Sequence, residues 1–493
     1  MTWEAVIGLE VHAQLRTRSK MFCGCATRFG DRPNANVCAV CTGQPGALPV
    51  VNRRAVELGC AAALALGCEV RSASRFARKS YFYPDLPKGF QISQYERPLA
   101  EHGRLEFVSG TGERQVGIVR VHLEEDAGRS VHDAAAGRTL VDLSRCGVPL
   151  AEIVTAPDLR TPEEASDCLR ALRLLLVRIG ACDGSLERGS LRCDVNVSVR
   201  RAGETALGIR VEVKNLNSYR HVRDALAHEI ARQSEALERG EAVRPQTRSW
   251  NDAAGRTEVL RDKEEAPDYR YFPEPDLPPL VLEEGFVERV RAELPELPLA
   301  RRRRFERELG LPPHDAAVLA ARGAAADLFE ATASLLAASG VESPQRRASG
   351  FVLNEVLRDL PDEGAEDGDD ARSLVDAGRL AELLRLVADG TISSLAAKEV
   401  YRELPASAER PAAIVDRRGL AQRSDAGAIE EAARCVLAEH PDAAARFRGG
   451  NARVLGFLVA EVVRRMEGRG NPRMAAETLR RLLEGEGEEG SHG

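Results

Sequence analysis

The chain has 493 residues, 69 Lys and Arg against 76 Asp and Glu, a formal charge of −7 and 43% hydrophobic residues. That balance excludes a disordered chain and a strongly basic nucleic-acid coat, and the length exceeds what a single core organises, so about two to four domains are expected. With no apolar run near bilayer length, no apolar leader at the start and 11 scattered cysteines, the expectation is a cytoplasmic protein, not membrane-bound, with reduced thiols and a possible metal site.

In Ile7-Gly8-Leu9-Glu10-Val11-His12-Ala13-Gln14-Leu15 the odd positions are apolar and the even ones Gly or polar. An extended chain then sets Glu10 and His12 on one face, either as a metal or acid/base site or as the solvated edge of an antiparallel sheet. Cys23-Gly24-Cys25, twelve residues, then Cys38-Ala39-Val40-Cys41 gives two thiol pairs on tight turns. This suits a closed tetrahedral zinc site, with a redox pair or plain buried thiols as the alternatives. A four-thiolate site leaves no open position, so Cys23, Cys25, Cys38 and Cys41 are expected to staple a loop beside Glu10 and His12.

A helix-like stretch around Arg54 to Leu66 precedes Phe76 to Gln94, where Pro84, Pro87 and Gly89 stand among aromatics, Lys79 and Lys88. Such a segment forbids a regular helix and makes a rigid cationic loop, lining a cleft or capping a core. Val119 to Gly128 reads as a strand ending in Glu124-Glu125-Asp126, adjacent acids whose repulsion a bound cation would offset. Val148 to Val154 reads as another strand, with Glu152 among apolar neighbours. By parity Glu125 lies with Val121 and Leu123 and Glu124 with His122; the pattern alone leaves open which faces the site.

Thr161-Pro162-Glu163-Glu164 marks a helix start, followed by Leu169, Leu172, Leu176 and Ile179. Arg192 to Arg200 and Arg210 to Lys214 alternate and predict an antiparallel hairpin. Its polar face would carry Arg192, Asp194, Asn196, Glu212 and Lys214, fit for phosphate or metal, or simply solvated.

Past Pro279 the pattern turns helical. Pro295 to Leu299 marks one boundary and Pro405 to Pro411 a second linker. The division expected is residues 1–294, with the cysteine loop at 23–41, a helical domain over 295–408, a helical tail over 409–485 and a disordered acidic end at 486–493. Asn471-Pro472 predicts a helix start. Arg446, Arg448 and Arg453 flank Gly449-Gly450-Asn451, a basic corner suited to a nucleic-acid backbone or a solvated charged face.

Taken together, Ile7 to His12, Tyr81-Phe82-Tyr83-Pro84-Asp85, His122 to Gly128, Gly147 to Val154, Gly189 to Asp194, Lys214-Asn215-Leu216-Asn217-Ser218 and Asp268 to Asp276 resemble the B subunit of the aspartyl/glutamyl-tRNA amidotransferases. The resemblance runs from the first strand to the far end. It implies an α+β protein: a largely antiparallel catalytic cradle similar to the glutamine synthetase-like fold, followed by two all-helical domains. It further implies a ligase that uses ATP to phosphorylate the side-chain carboxylate of Glu-tRNA(Gln), Asp-tRNA(Asn) or both, then amidates it with ammonia. The ammonia would come from a partner glutaminase, the amidase-type A subunit, with the small C subunit clasping the two.

By that resemblance the magnesium site falls on His12, Glu125 and Glu152 with Glu10 adjacent. Lys79 and Lys88 line the path to it, the four cysteines hold zinc, and the tail grips tRNA. Arg192, Asp194 and Lys214 are then expected at the nucleotide. Two features of the residues agree. No Gly-rich phosphate loop ending in Gly-Lys-Ser/Thr is present, so ATP needs another kind of site, and no convincing glutaminase centre is present, so ammonia needs another chain. A zinc-stapled tRNA binder without chemistry and a free-standing metallohydrolase are the other readings; a pure binder has no use for concentrated buried acids.

Overall fold

The alternating opening stretch is the middle strand, Trp3–Gln14, of a nine-stranded sheet. The computed structural model describes residues 3–485 except 111, 134, 263–267, 361–374, 423–424 and 467; the expected disordered end at 486–493 lies outside the described residues. Across the sheet the strands run Arg256–Asp262, Gln246–Asn251, Val211–Lys214, Leu191–Arg201, Trp3–Gln14, Pro149–Thr155, Gly112–Glu125, Ala100–Ser109 and Glu69–Val70. Every pairing is antiparallel except Val211–Lys214 with Gln246–Asn251.

The two faces divide as period-2 alternation demands. Ile7, Leu9, Val11, Val121, Leu123, Ile153, Cys193 and Val195 are all buried in one core with Leu58, Leu169, Leu172, Leu176, Val222 and Leu226. Those partners sit on the helices Arg53–Ala65, Pro162–Arg178 and Tyr219–Glu238. Fully burying each such Leu or Val is worth about 1.5–3 kcal/mol, which fixes the register, because a one-residue slip would send the whole set to the other face. The helix starts follow the sequence: the Thr161 hydroxyl accepts from Glu164 N at 3.1 Å, and the Asn52 side chain accepts from Arg54 N at 2.9 Å.

The aromatic segment forms a short hairpin, Ala77–Ser80 with Phe90–Ser93, whose loop carries Phe82, Tyr83 and Lys88. Gly43 has φ +68°, and a Cβ there would meet the Lys88 side chain at 2.4 Å. Only glycine allows the cysteine loop to lie that close to Lys88.

The chain separates into two units, Met1–Arg301 and Arg302–Gly493. The second is helical and holds two apolar clusters among its described residues, one over Phe305 to Val415 and one over Ile429 to Leu483. Helix Pro472–Gly485 begins where expected, with the Asn471 side chain accepting from Arg473 N at 3.0 Å. A five-residue π-helical segment, Val352–Val356, had no counterpart in the sequence pattern. No described helix is long and apolar enough to cross a membrane.

Candidate active site

The face of the sheet opposite the helices carries the polar row. Arg192, His12, Glu152 and His122 stand directly opposite one another on four adjacent strands. His12 Nε2 lies 3.3 Å from Glu152 Oε2, 3.7 Å from Glu124 Oε1 and 3.9 Å from Glu10 Oε1. His122 Nε2 lies 3.3 Å from Glu152 Oε2 and 3.4 Å from Glu124 Oε2. Ligand atoms of His12, Glu124 and Glu152 all fall within 4.8 Å of one another, as do those of Glu10, His12 and Asp194.

The strand end settles the parity left open by the sequence, and it differs from what the resemblance implies. Leu123 is in the helix-facing core, so Glu124 turns to the polar face with His122. Glu125 turns away: its carboxylate pairs with Lys88 and accepts from Ile92 N at 2.9 Å. The cluster around His12 and Glu152 therefore contains Glu124 rather than Glu125. Glu125 and Lys88 instead line a cavity of about 200 Å³ with Lys20, Cys41, Gly43 and Arg78.

Electrostatics bind the cluster into one unit. Burial alone would hold both histidines neutral, but hydrogen bonds and charge from Glu152, with Glu124, override it and raise His12 and His122 to about 9. Glu152 and Glu124 are burdened by burial, yet the two imidazolium rings hold both below the usual carboxylate range. Glu10 moves the other way, raised by burial and by Glu152. Two carboxylates and an imidazole converging on one point form a donor set that fits a divalent cation.

Cations surround this cluster. Arg192 donates to Asp126 at 2.9 Å, and Asp126 also accepts from Gln14 at 2.8 Å. Lys214 is fixed between Asp194 and Glu212, the latter at 3.0 Å. Lys79 lies 4.9 Å from the Tyr269 ring centre; burial opposes its charge, but Glu124, Tyr271 and Glu152 raise its pKa nonetheless. The sheet thus brings Glu10, His12, Glu152, Arg192, Asp194 and Lys214 to one face, Lys79 comes near Glu124 and Glu152 from the aromatic hairpin, and Glu125 and Lys88 are set apart. His122 and Arg120, which lies 3.7 Å from Glu152, were not singled out as site residues by the sequence, and Glu124 and Asp126 stood there only within the acidic strand end, with Glu124 an open alternative to Glu125. The clue available was the shared parity of His122 with Glu124.

The four cysteines converge. Their sulfurs lie within 4.8 Å of one another, and Cys38 and Cys41 are 3.9 Å apart. A tetrahedron with bonds of about 2.3 Å sets sulfurs about 3.8 Å apart, so the donor set fits zinc. The hydrogen bond from Cys23 draws Cys41 down to about 4 against the opposing effect of burial, with the Cys38 backbone and Lys20 adding to the fall. In the second unit Arg446 and Arg453 line a groove of about 600 Å³ with His440 and Phe457, whereas Arg448 donates to Leu483 O at 3.3 Å.

An acid and imidazole cluster on a sheet face, ringed by fixed cations and joined to a helical unit, defines a candidate phosphoryl-handling enzyme component. Residues 5–288 match the family described as the GatB/GatE catalytic domain, and residues 327–483 match the GatB domain. The B subunit of the aspartyl/glutamyl-tRNA(Asn/Gln) amidotransferase of Anaeromyxobacter dehalogenans is 51% identical over 482 residues, covering 98% of this chain and 99% of its own. The proteins of the same description from Myxococcus xanthus and Thermodesulfovibrio yellowstonii are 48% and 46% identical, each across 98% of this chain and 98% and 100% of their own. The chain belongs to the family of B subunits of the aspartyl/glutamyl-tRNA(Asn/Gln) amidotransferases.

Proposed function

We propose that this chain is the B subunit of a glutamine-dependent tRNA amidotransferase, a ligase that converts Glu-tRNA(Gln), Asp-tRNA(Asn) or both to the amide. The observation that carries the chemistry is the His12–Glu124–Glu152 cluster at the centre of the sheet face. A side-chain carboxylate is a poor acyl donor because oxide is a poor leaving group. Transfer of the γ-phosphoryl of ATP makes an acyl phosphate; ammonia then attacks the carbonyl carbon and phosphate leaves with the bonding pair.

The residues divide this work. His12, Glu124 and Glu152, with Glu10 adjacent, would hold magnesium, which neutralises charge on the phosphates when bound. Arg192, aimed by Asp126, and Lys214, held by Asp194 and Glu212, present fixed positive charge to the nucleotide without reorganising during the reaction. Lys79, on the aromatic hairpin, brings its charge near Glu124 and Glu152, and Lys88 with Glu125 borders the neighbouring cavity. Both lysines are assigned to the path leading to the magnesium site; ammonia would arrive from an amidase-type glutaminase, the A subunit, with the small C subunit as the third partner. Zinc on Cys23, Cys25, Cys38 and Cys41 would staple the loop over that cavity. Arg446 and Arg453 are assigned to the tRNA, with Arg448, which donates to Leu483 O, holding the last helix beside them, and the domain division at 294/295 and 408/409 is retained with this reading.

The test is the chain purified with its partner subunits and supplied with Glu-tRNA(Gln), ATP, magnesium and glutamine. His12→Ala and Glu124→Gln should abolish amide formation while mischarged tRNA still binds; amide formation at the wild-type rate in both variants would overturn the catalytic assignment.

A further inference from the structure

Lys20 is among the largest fully buried side chains of the protein, at 0% exposure. Its ammonium donates to Asn36 O at 2.6 Å and Leu143 O at 3.4 Å, and it lies 3.6 Å from Cys41 Sγ. Among the described residues it has no carboxylate partner within ion-pair distance. Carbonyl oxygens satisfy its protons but not its charge, and an isolated buried ammonium costs several kcal/mol even after relaxation. The anion that offsets this cost must be the sulfur cluster.

Four neutral thiols carry no charge to offer. Thiolates do, and four of them around a dication carry a net charge of about −2, so a buried lysine beside them lowers the energy. We propose that Lys20 is the counter-ion of the cysteine metal site: a positioning residue whose buried ammonium sits against Cys41 Sγ and ties metal occupancy to the segment leading to Glu152. This rests on the reading of the four cysteines as a zinc site, and extends it to a residue outside the ligand set.

The same side chain explains how occupancy reaches the catalytic sheet. Besides the Lys20 bond to Leu143 O, Met21 N donates to Gly147 O at 2.8 Å and Cys146 Sγ to Cys41 O at 3.3 Å. Gly147 N in turn donates to Asp126 O at 2.8 Å, and Pro149–Thr155, the strand bearing Glu152, begins two residues later. Gly147 has φ +88°, and a Cβ there would stand 3.4 Å from both Lys20 Cδ and Cys41 Cβ, so the segment passes directly over this pair.

Three measurements on the full-length protein test the proposal. Zinc content and thiol titration of the wild type come first; a chain that takes up no zinc overturns both the zinc reading and the role of Lys20. Zinc transfer to a chromogenic chelator is then followed for the wild type and Lys20→Met, which keeps the length of the side chain and removes its charge. Release should be about 10–100-fold faster in the variant, the range for loss of an outer partner of a metal ligand. One equivalent of zinc in both, released at equal rates, overturns Lys20 as counter-ion and leaves the zinc reading standing. The third uses wild-type protein alone, so it does not depend on the variant folding. Amine acetylation read by mass spectrometry should spare Lys20 in the zinc-loaded chain and label it once zinc is stripped; labelling of the loaded chain, or equal protection in both, overturns the proposal.

Discussion

Glu152 Oε2 and His12 Nε2 stand 3.3 Å apart as cross-strand neighbours on Pro149–Thr155 and Trp3–Gln14. With His122 in the same row, Glu152 lies between two imidazoles, and the mutual stabilisation of opposite charges makes this row a single titrating unit. The consequences for stability and catalysis differ with the presence of a cation.

In the metal-free chain the row stabilises the fold only while it is oppositely charged. The histidines have folded pKa values near 9, above the ordinary 6.5, so their contribution is complete below about 6.5 and lost as pH rises through 9. Glu124 and Glu152 are held below the ordinary 4.5, so theirs is present above that value and lost as pH falls through their lowered folded values. The melting temperature of chelator-treated protein should therefore be highest between about pH 5 and 6.5 and decline towards pH 9. Glu152→Gln should flatten the alkaline limb; an unchanged limb would show that the row does not titrate as a unit.

Glu124 and Glu125 are adjacent in the chain and opposed in space, which separates their variants. Glu124→Gln should raise the magnesium concentration for half-maximal ATP hydrolysis by about 10-fold or more, because one of three converging donors is lost. Glu125→Gln should leave that concentration near the wild-type value, since its carboxylate faces Lys88 and Ile92 N. A magnesium titration of both variants decides the matter, and the reverse order would return the ligand role to Glu125.

The fold's outline was present in local pattern, while the site was present only in part. Alternation marked the strands bearing Glu10, His12, Arg192 and Asp194, and the Thr161 cap marked a helix, because each depends on neighbours in sequence. The strands Ala100–Ser109, Gln246–Asn251 and Arg256–Asp262 gave no such signal. Which of Glu124 and Glu125 faces His12 depends on the core contact of Leu123, a tertiary fact. His122 read as an ordinary strand residue because its partner Glu152 is brought to it by pairing across the sheet. Lys20 was silent for the same reason: Cys41 and Leu143 reach it only through the folded loop.

Gly43 provides a test of the contact between the cysteine loop and the aromatic hairpin. Gly43→Ala would place a Cβ 2.4 Å from Lys88 Cγ and 3.1 Å from Lys88 Cα, at a φ of +68° that costs a non-glycine residue about 1–2 kcal/mol. The expected result is a modest fall in melting temperature with a larger fall in glutamine-dependent amidation, because Lys88 is pushed off Glu125. Amidation at the wild-type rate would show that the Lys88–Glu125 pair is dispensable.

The three tail arginines should separate by salt dependence. Arg446 and Arg453 line the groove beside His440 and Phe457, where they are free to meet phosphates, and each phosphate neutralised adds about 0.7–0.9 to the slope of log affinity against log salt. Arg446→Ala and Arg453→Ala should each weaken tRNA binding and lower that slope by about this amount, with ATP hydrolysis at saturating tRNA unchanged. Arg448 is committed to Leu483 O on the last helix, so Arg448→Ala should lower thermal stability with little change in slope. Filter binding of tRNA between low and moderate salt, paired with thermal melts, distinguishes the two behaviours. Equal slopes in all four proteins would remove the tail groove from the tRNA interface.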